Sequence, residues 1–448
     1  MAGFDLIVIG AGLSGMFAGV LAARRGARVL VIAQGQGGAN TSTGCVNILG
    51  YDTSGQPLIN WDQAWSNIRV RQHPYSKVNR EELDQAIAEL IQICSGAGYP
   101  LQYRPGENFL LPAAIGSVRA AALVPDSMAA GDLRRPGDII LADFPGFRDF
   151  YPSLAAANLS PGHDGSVRAI ALPLPDAPAL RDGYATDLAL LFDDAGYRAK
   201  VGALWQPELA GARRIGFPAV LGLRHAPAAW RDLSERLSAE VFEIPTLPPS
   251  VPGMRLFNLL SETLKANRGE LILGPRVVGH PDERSALRRV TGITAQTAGG
   301  ERSFNAEAVI LASGGFMHGG LHARQDGTVV ESVFDLPVIS DADLPSAPGR
   351  RTRSTRAKRP RSRTPDRPEG PRSQNWTSLL YLAPHLYAHY GLQVDDRLQP
   401  TSRLGEPFYA NLYAVGGILA GADRISEGSR EGIGLASAWK VVNILKLS

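Results

Sequence analysis

The sequence predicts an α/β protein: a Rossmann-like domain assembled from N-terminal, late-middle and C-terminal segments, with an α+β domain inserted into it. Three stretches predict this. Each is a short apolar run ending in glycines: Leu6 to Ile9 before Gly10, Gly12 and Gly15; Ala308 to Ala312 before Gly314 and Gly315; and Leu412 to Val415 before Gly416 and Gly417. A continuous apolar run of this length suits a strand buried on both faces, and glycines at its end admit a ligand or a helix close to the backbone. The implied boundaries are residues 1–50 with 246–345 and 376–448 for the first domain, 51–245 for the insert, and 346–375 for a separate basic insertion.

The first element carries the strongest local signal. Gly10 permits a sharp turn after the strand, Gly12 lets a pyrophosphate approach the main chain, and Gly15 lets the next helix pack on the strand. A helical pattern, Met16 to Arg25, follows and is closed by Gly26, and first-turn amides such as that of Ser14 face the anion. The second strand, Ala27 to Ala33, ends without the acid that normally holds an adenosine ribose. Only the neutral Gln34 is there, which weakens the case for an adenine-containing cofactor without excluding it.

Within the insert, Tyr51 to about Pro245, the clearest helix is Arg80 to Cys94, where Leu83, Ile87, Leu90, Ile91 and Cys94 share one face. The proline-rich 245–252 segment reads as a rigid extended crossover back to the first domain. The last helix is expected over Gly432 to Leu447, with Gly432 and Gly434 leaving open amides at its start.

Composition bounds the function. The chain has 448 residues, 44% of them hydrophobic, enough for two or three domains. Two cysteines, Cys45 and Cys94, cannot ligate an iron-sulfur cluster, and no metal site is expected. No apolar run is long enough to span a bilayer, and the first strand begins almost at Met1, so a cytoplasmic chain is expected. The net charge of +3 conceals an asymmetry: residues 350–372 hold ten Lys or Arg and two acids, which leaves the remainder at −5. That run is too polar to fold on itself and is expected to be disordered. It lacks the aromatics that stack on bases, so no nucleic-acid partner is expected. It is either a solvated insertion or a stretch read in a shifted frame.

Four stretches carry a resemblance: Ser42 to Leu49; Phe242 to Leu256, which contains Pro-Thr-Leu-Pro-Pro-Ser-Val at 245–251; Leu311 to Leu321; and Gly417 to Gly428. Together they resemble the two-domain flavoproteins of succinate dehydrogenase and fumarate reductase type, and more closely the B-subunit family of anaerobic glycerol-3-phosphate dehydrogenases. The resemblance spans nearly the whole chain except 346–375. It implies a flavin-binding subunit of a complex that oxidises sn-glycerol 3-phosphate to dihydroxyacetone phosphate and passes electrons to quinone. It assigns FMN to this subunit, consistent with the missing acid at Ala33, with FAD as the alternative. The implied partners are a larger catalytic subunit that contains FAD, and an iron-sulfur subunit that docks the complex on the inner face of the cell membrane. Other readings stay open: a docking subunit that binds flavin weakly or not at all, and an independent FAD-dependent oxidoreductase.

The expected flavin contacts are Gly10, Gly12, Ser14 and Gly15; Thr41, Ser42, Thr43 and Gly44; Gly314 and Gly315; and Gly416, Gly417, Asp423, Gly432 and Gly434. Thr41 to Gly44 read equally as a surface turn, and Asp423 as a turn cap. No catalytic residue is marked. His318 and His322 read as surface histidines, Arg424 and Arg430 as solvated cations that could meet a phosphate, His73 as a loop residue, and Cys45 as a small semi-buried thiol.

Overall fold

The structure is a computed structural model and describes residues 3–68, 73–175, 183–282, 288–339 and 385–447. The insertion expected at 346–375 lies outside the described residues. The first unit contains, in chain order, β1 (Gly3–Ile9), α1 (Leu13–Arg24), β2 (Val29–Ala33), α2 (Arg80–Gly96), α3 (Val251–Ala266), β3 (Glu270–Leu273), β4 (Arg276–Asp282), β5 (Arg289–Thr297), β6 (Gly300–Leu311), β7 (Leu412–Ala414) and α4 (Arg430–Leu445).

The strands form one seven-stranded sheet in the order β3-β2-β1-β6-β5-β4, with β7 also paired to β6. β1 runs parallel to β2 and β6, and β6 parallel to β7, with Ile9 opposite Leu311 and Leu311 opposite Ala414. This register sets the three glycine-rich strand ends side by side at one edge. β1 and β2 are apolar because they are covered on both faces, as parallel strands must be. β6 is longer than the apolar run from Ala308 suggested. Its first half, with exposed Glu301, Arg302 and Ser303, forms an antiparallel hairpin with β5 at the margin of the core.

α1 is buried from Gly15 to Ala23, since the sheet lies on one side and α3 and α4 on others. α2 is set by a capping box, in which Asn79 Oδ1 accepts from the Glu82 amide at 2.8 Å and Glu82 Oε2 accepts from the Asn79 amide at 2.7 Å. Its buried face, Leu83, Ala86, Ile87, Leu90, Ile93 and Cys94, packs toward α4.

The intervening region holds a parallel four-stranded sheet in the order Glu240–Ile244, Arg214–Pro218, Ile139–Asp143 and Val167–Ala171. Two antiparallel pairs lie beside it, Leu101–Tyr103 with Leu123–Pro125 and Phe109–Pro112 with Val118–Ala121. Its core stacks Phe144, Trp205 and Phe217 at centroid separations of 5.4 to 6.1 Å. The 245–252 segment is not the extended crossover expected: it bends over Leu247 to Pro249, with a cis Pro248–Pro249 peptide bond, and ends at Ser250. Val251 and Pro252 already belong to α3, whose first turn tolerates proline, and Ser250 Oγ accepts from the Gly253 amide at 3.2 Å as its cap.

The two units are clasped by a buried ion pair. Arg255 on α3 donates to both oxygens of Glu243 at 2.6 and 2.9 Å, while its Nε donates to Gly222 O at 2.7 Å. Among the described residues, no helix is long and apolar enough to cross a membrane.

Candidate functional site

The strand ends enclose a cavity of about 1030 Å³. Its floor is the turn between β1 and α1. Gly10 has φ +120°, and a Cβ there would fall 2.3 Å from Ala312 O; a Cβ on Gly15 would fall 1.9 Å from Gly10 O. These two glycines allow strand, turn and helix to touch. Gly12 differs. Its φ of −72° suits any residue, and a Cβ on it would meet nothing within 4 Å, so what it preserves is space in the cavity. α1 begins there with no side-chain cap and no acid in its first turn, leaving first-turn N–H groups for a ligand anion.

Of the expected contacts, Gly10, Gly12, Ser14, Ser42, Gly314, Gly315, Gly417 and Asp423 line the cavity. Gly15, Thr41, Thr43, Gly44, Gly416, Gly432 and Gly434 do not line it. A Cβ on either Gly416 or Gly434 would come 2.3 Å from Ser14 Oγ, so both glycines make room for that side chain. The Gly432 amide donates to Asn47 O at 2.9 Å and the Gly416 amide to Ser437 Oγ at 3.0 Å. The expected clamp of open amides at the start of α4 is therefore corrected: these donors are consumed by the fold. Thr41 Oγ1 turns to Gly38 O at 3.1 Å, and Gly44 sits against Pro252.

The sequence reading missed a whole wall. Leu256, Phe257 and Leu260 of α3 line one side, and beyond the end of β2 the cavity continues past Gln34 to Arg276 and Val277 on β4. The helical spacing of the α3 residues was visible, but spacing does not distinguish a face that meets a cavity from one that meets a core. Ser313, on the β6 side, has a buried Oγ with no hydrogen-bond partner among the described residues.

Cationic groups enter the cavity beside the Gly37–Gly38 loop, whose backbone lies against Gly12. His318 Nε2 and Arg430 Nη1 converge near Gly38, and Arg424 Nη2 approaches Gly315. Arg430 pairs with Glu431 at 2.7 Å. Arg424 has no ion-pair partner among the described residues, and its Nη1 donates to Leu419 O at 2.9 Å. Burial pushes the Arg424 guanidinium down to about 10, against the pull of Glu427 and Asp423, so it stays charged at neutral pH. His318 lies below the ordinary histidine value, through desolvation first and then through Arg430 and Arg424, so its imidazole is neutral there. His322 also lines the cavity. His73 lies in a loop, as expected, but is 2% exposed and hydrogen-bonded to Glu427 at 3.0 Å. Cys45 is buried beside Met128, its Sγ 3.6 Å from the thioether sulfur, and burial pushes its thiol up to about 11, which makes it a poor nucleophile.

This cradle fits a nucleotide-linked flavin. Open amides and the space at Gly12 suit a phosphate, the orphaned Ser313 hydroxyl suits a polar group, and α3 supplies an apolar wall. The sequence matches the FAD binding domain family over residues 5–434. That family description names FAD, against the FMN expected above. The chain is 29% identical to the probable B subunit of anaerobic glycerol-3-phosphate dehydrogenase from Halobacterium salinarum, covering 97% of this chain and 96% of that protein. It is 28% identical to the B subunit of anaerobic glycerol-3-phosphate dehydrogenase from Pectobacterium carotovorum, covering 99% of each. Among solved structures, it matches the 3-ketosteroid delta1-dehydrogenase of Sterolibacterium denitrificans with a TM-score of 0.44 and 13% identity over 99% of both chains.

Proposed function

Because this chain belongs to the FAD binding domain family, we propose that it is the flavin-binding B subunit of an anaerobic glycerol-3-phosphate dehydrogenase. The observation that carries this reading is a single cavity joining the open α1 amides to the Arg424 and Arg430 cations. The amides suit the cofactor phosphates and the cations an anionic substrate. The full-length similarity to proteins named as B subunits supports the choice of substrate, sn-glycerol 3-phosphate, oxidised to dihydroxyacetone phosphate.

The proposed cofactor is FAD. An FMN phosphate at the α1 amides would leave the arm beyond Gln34, bounded by Arg276, Val277 and Leu260, without an occupant. That arm supports a dinucleotide despite the missing acid at Ala33. When bound, the flavin would supply the acceptor for the hydride that leaves the alcohol carbon. The chain's own residues do the rest. Arg424 and Arg430 hold the substrate phosphate, for which planar guanidinium groups are well suited. The neutral His318 imidazole accepts the alcohol proton. Electrons leave to the partner subunits, and through the iron-sulfur subunit the complex sits at the inner face of the membrane and passes them to quinone.

The test is to purify the chain, identify its released flavin against FAD and FMN standards, and mix the reconstituted complex anaerobically with sn-glycerol 3-phosphate. FAD released from the chain, and bleaching of its visible absorbance by the substrate, are expected. Released FMN overturns the cofactor assignment, and a chain that neither carries nor takes up flavin overturns the function.

A further inference from the structure

The pair His73–Glu427 lies behind the cationic wall and outside the cavity. His73 Nδ1 accepts from the Tyr75 amide at 3.1 Å, which leaves the ring proton on Nε2 and directs it at Glu427 Oε2, 3.0 Å away. The same carboxylate accepts from Ser429 Oγ at 2.8 Å and from the Asp423 amide at 3.2 Å. The Glu427 backbone is fixed as well: its amide donates to Asp423 O at 3.0 Å, and its carbonyl accepts from the Gly50 amide at 2.8 Å. Glu427 and Arg424 therefore stand three residues apart in one tight turn, yet they do not pair.

We infer that His73 is a positioning residue that keeps Arg424 open for an anion, by tying the Glu427 carboxylate away from the guanidinium while leaving its charge nearby. The inference rests on the reading of the cavity as an anion-binding site. A guanidinium has five donors, and a direct bidentate pair with Glu427 would occupy the face that a phosphate needs. Held at a distance, the carboxylate still balances the charge of Arg424: after burial, Glu427 is the strongest influence on that group. Glu427 is itself ionised. Burial pushes its carboxyl up, but the hydrogen bond from His73 leads the influences that together hold it below the ordinary value. Without the imidazole, the carboxylate keeps among the described residues only the Ser429 hydroxyl and the Asp423 amide, both from its own turn, against a swing onto Arg424.

The test is a titration of the flavin-loaded protein with inorganic phosphate at constant ionic strength, followed by calorimetry. His73→Leu is expected to weaken phosphate binding by about tenfold to a hundredfold, the scale of lost charge-assisted hydrogen bonds, with flavin retained. His73→Gln, which keeps a donor toward Glu427, retains the wild-type affinity. Adding Glu427→Gln to His73→Leu restores binding, because no competing carboxylate remains. Glu427→Gln alone keeps an acceptor for His73 and carries the test if His73→Leu fails to fold: phosphate binds at least as tightly as in wild type while Tm falls, since the charge of Arg424 has lost its balance. A double variant as weak as His73→Leu, or a Glu427→Gln that weakens binding, means that the pair only holds the fold and overturns the inference. Wild-type protein that binds no phosphate overturns the anion-site reading beneath it.

Discussion

At the scale of single residues, two glycines three positions apart do different work, and their substitutions separate folding from ligand binding. A Cβ at Gly15 collides with the Gly10 carbonyl oxygen, whereas one at Gly12 enters empty space. Gly12→Leu is therefore expected to leave the thermal unfolding of flavin-free protein within the range of a surface substitution, about 0.5 kcal/mol, while abolishing flavin retention. Gly15→Ala is expected to lower both, and differential scanning calorimetry with absorbance at the flavin band reads the two effects. His318 belongs to the chemistry instead. Under the proposed function, His318→Asn keeps flavin but slows substrate-dependent flavin bleaching by about 10² to 10⁴. Because burial first, and then Arg430 and Arg424, depress its pKa, the acid limb of the wild-type rate profile falls below the usual histidine value of about 6.5. Glu331 gives a pH dependence of stability. It is fully buried, and burial pushes its carboxyl up to about 7 despite hydrogen bonds from the Val333 and Phe334 amides. The folded state thus binds this proton more tightly than the unfolded one. The resulting stability is complete below the unfolded value of 4.5 and is lost as pH rises through 7, an effect on the order of 3 kcal/mol. Glu331→Gln is expected to remove that slope from urea unfolding measured between pH 5 and 8, with a pH-independent offset for the amide that loses its acceptor.

At the scale of elements, the Arg255–Glu243 clasp joins α3 to the inserted sheet through a pair that is almost wholly buried, with Ser127 Oγ and the Leu221 amide also donating to the carboxylate. Arg255→Met strands that carboxylate and is expected to cost about 3 to 5 kcal/mol in chemical unfolding, whereas Arg255→Met with Glu243→Leu recovers most of the loss. A double variant as unstable as the single one would mean that the pair adds net stability beyond its own desolvation. The strands that the sequence revealed share one property, the near-uniform burial that makes their apolar runs continuous: β1, β2, the second half of β6, and β7. What it concealed is equally physical. The first half of β6 carries no apolar run because Gly300 to Ser303 are all exposed, and α3 hid behind Pro252, which fits a helix's first turn as well as an extended chain. The glycines that touch the cavity read like those that merely let helices pack. Ser14, with Gly416 and Gly434 withdrawn around it, could be sorted only by the packing itself.

At the scale of the whole molecule, the site is a meeting of distant segments. Gly12 comes from the first turn of the chain, Leu256 and Arg276 from its middle, Ser313 from the end of β6, and Arg424 and Arg430 from close to the last helix. Local patterns name such residues one at a time: Arg424 and Arg430 read as solvated cations that could meet a phosphate until Leu419, Glu431 and Gly315 are placed around them. The inner sheet has the same character, since β6 lies between β1 and β7, and β7 begins some 400 residues after β1 starts. A ribosome making this protein emits β1 and α1 first, and they must wait for neighbours not yet synthesised. No nascent fragment that ends before Arg430 contains a complete pocket. The complete pocket therefore forms only once the segment carrying Arg424 and Arg430 has joined the strand ends made long before it.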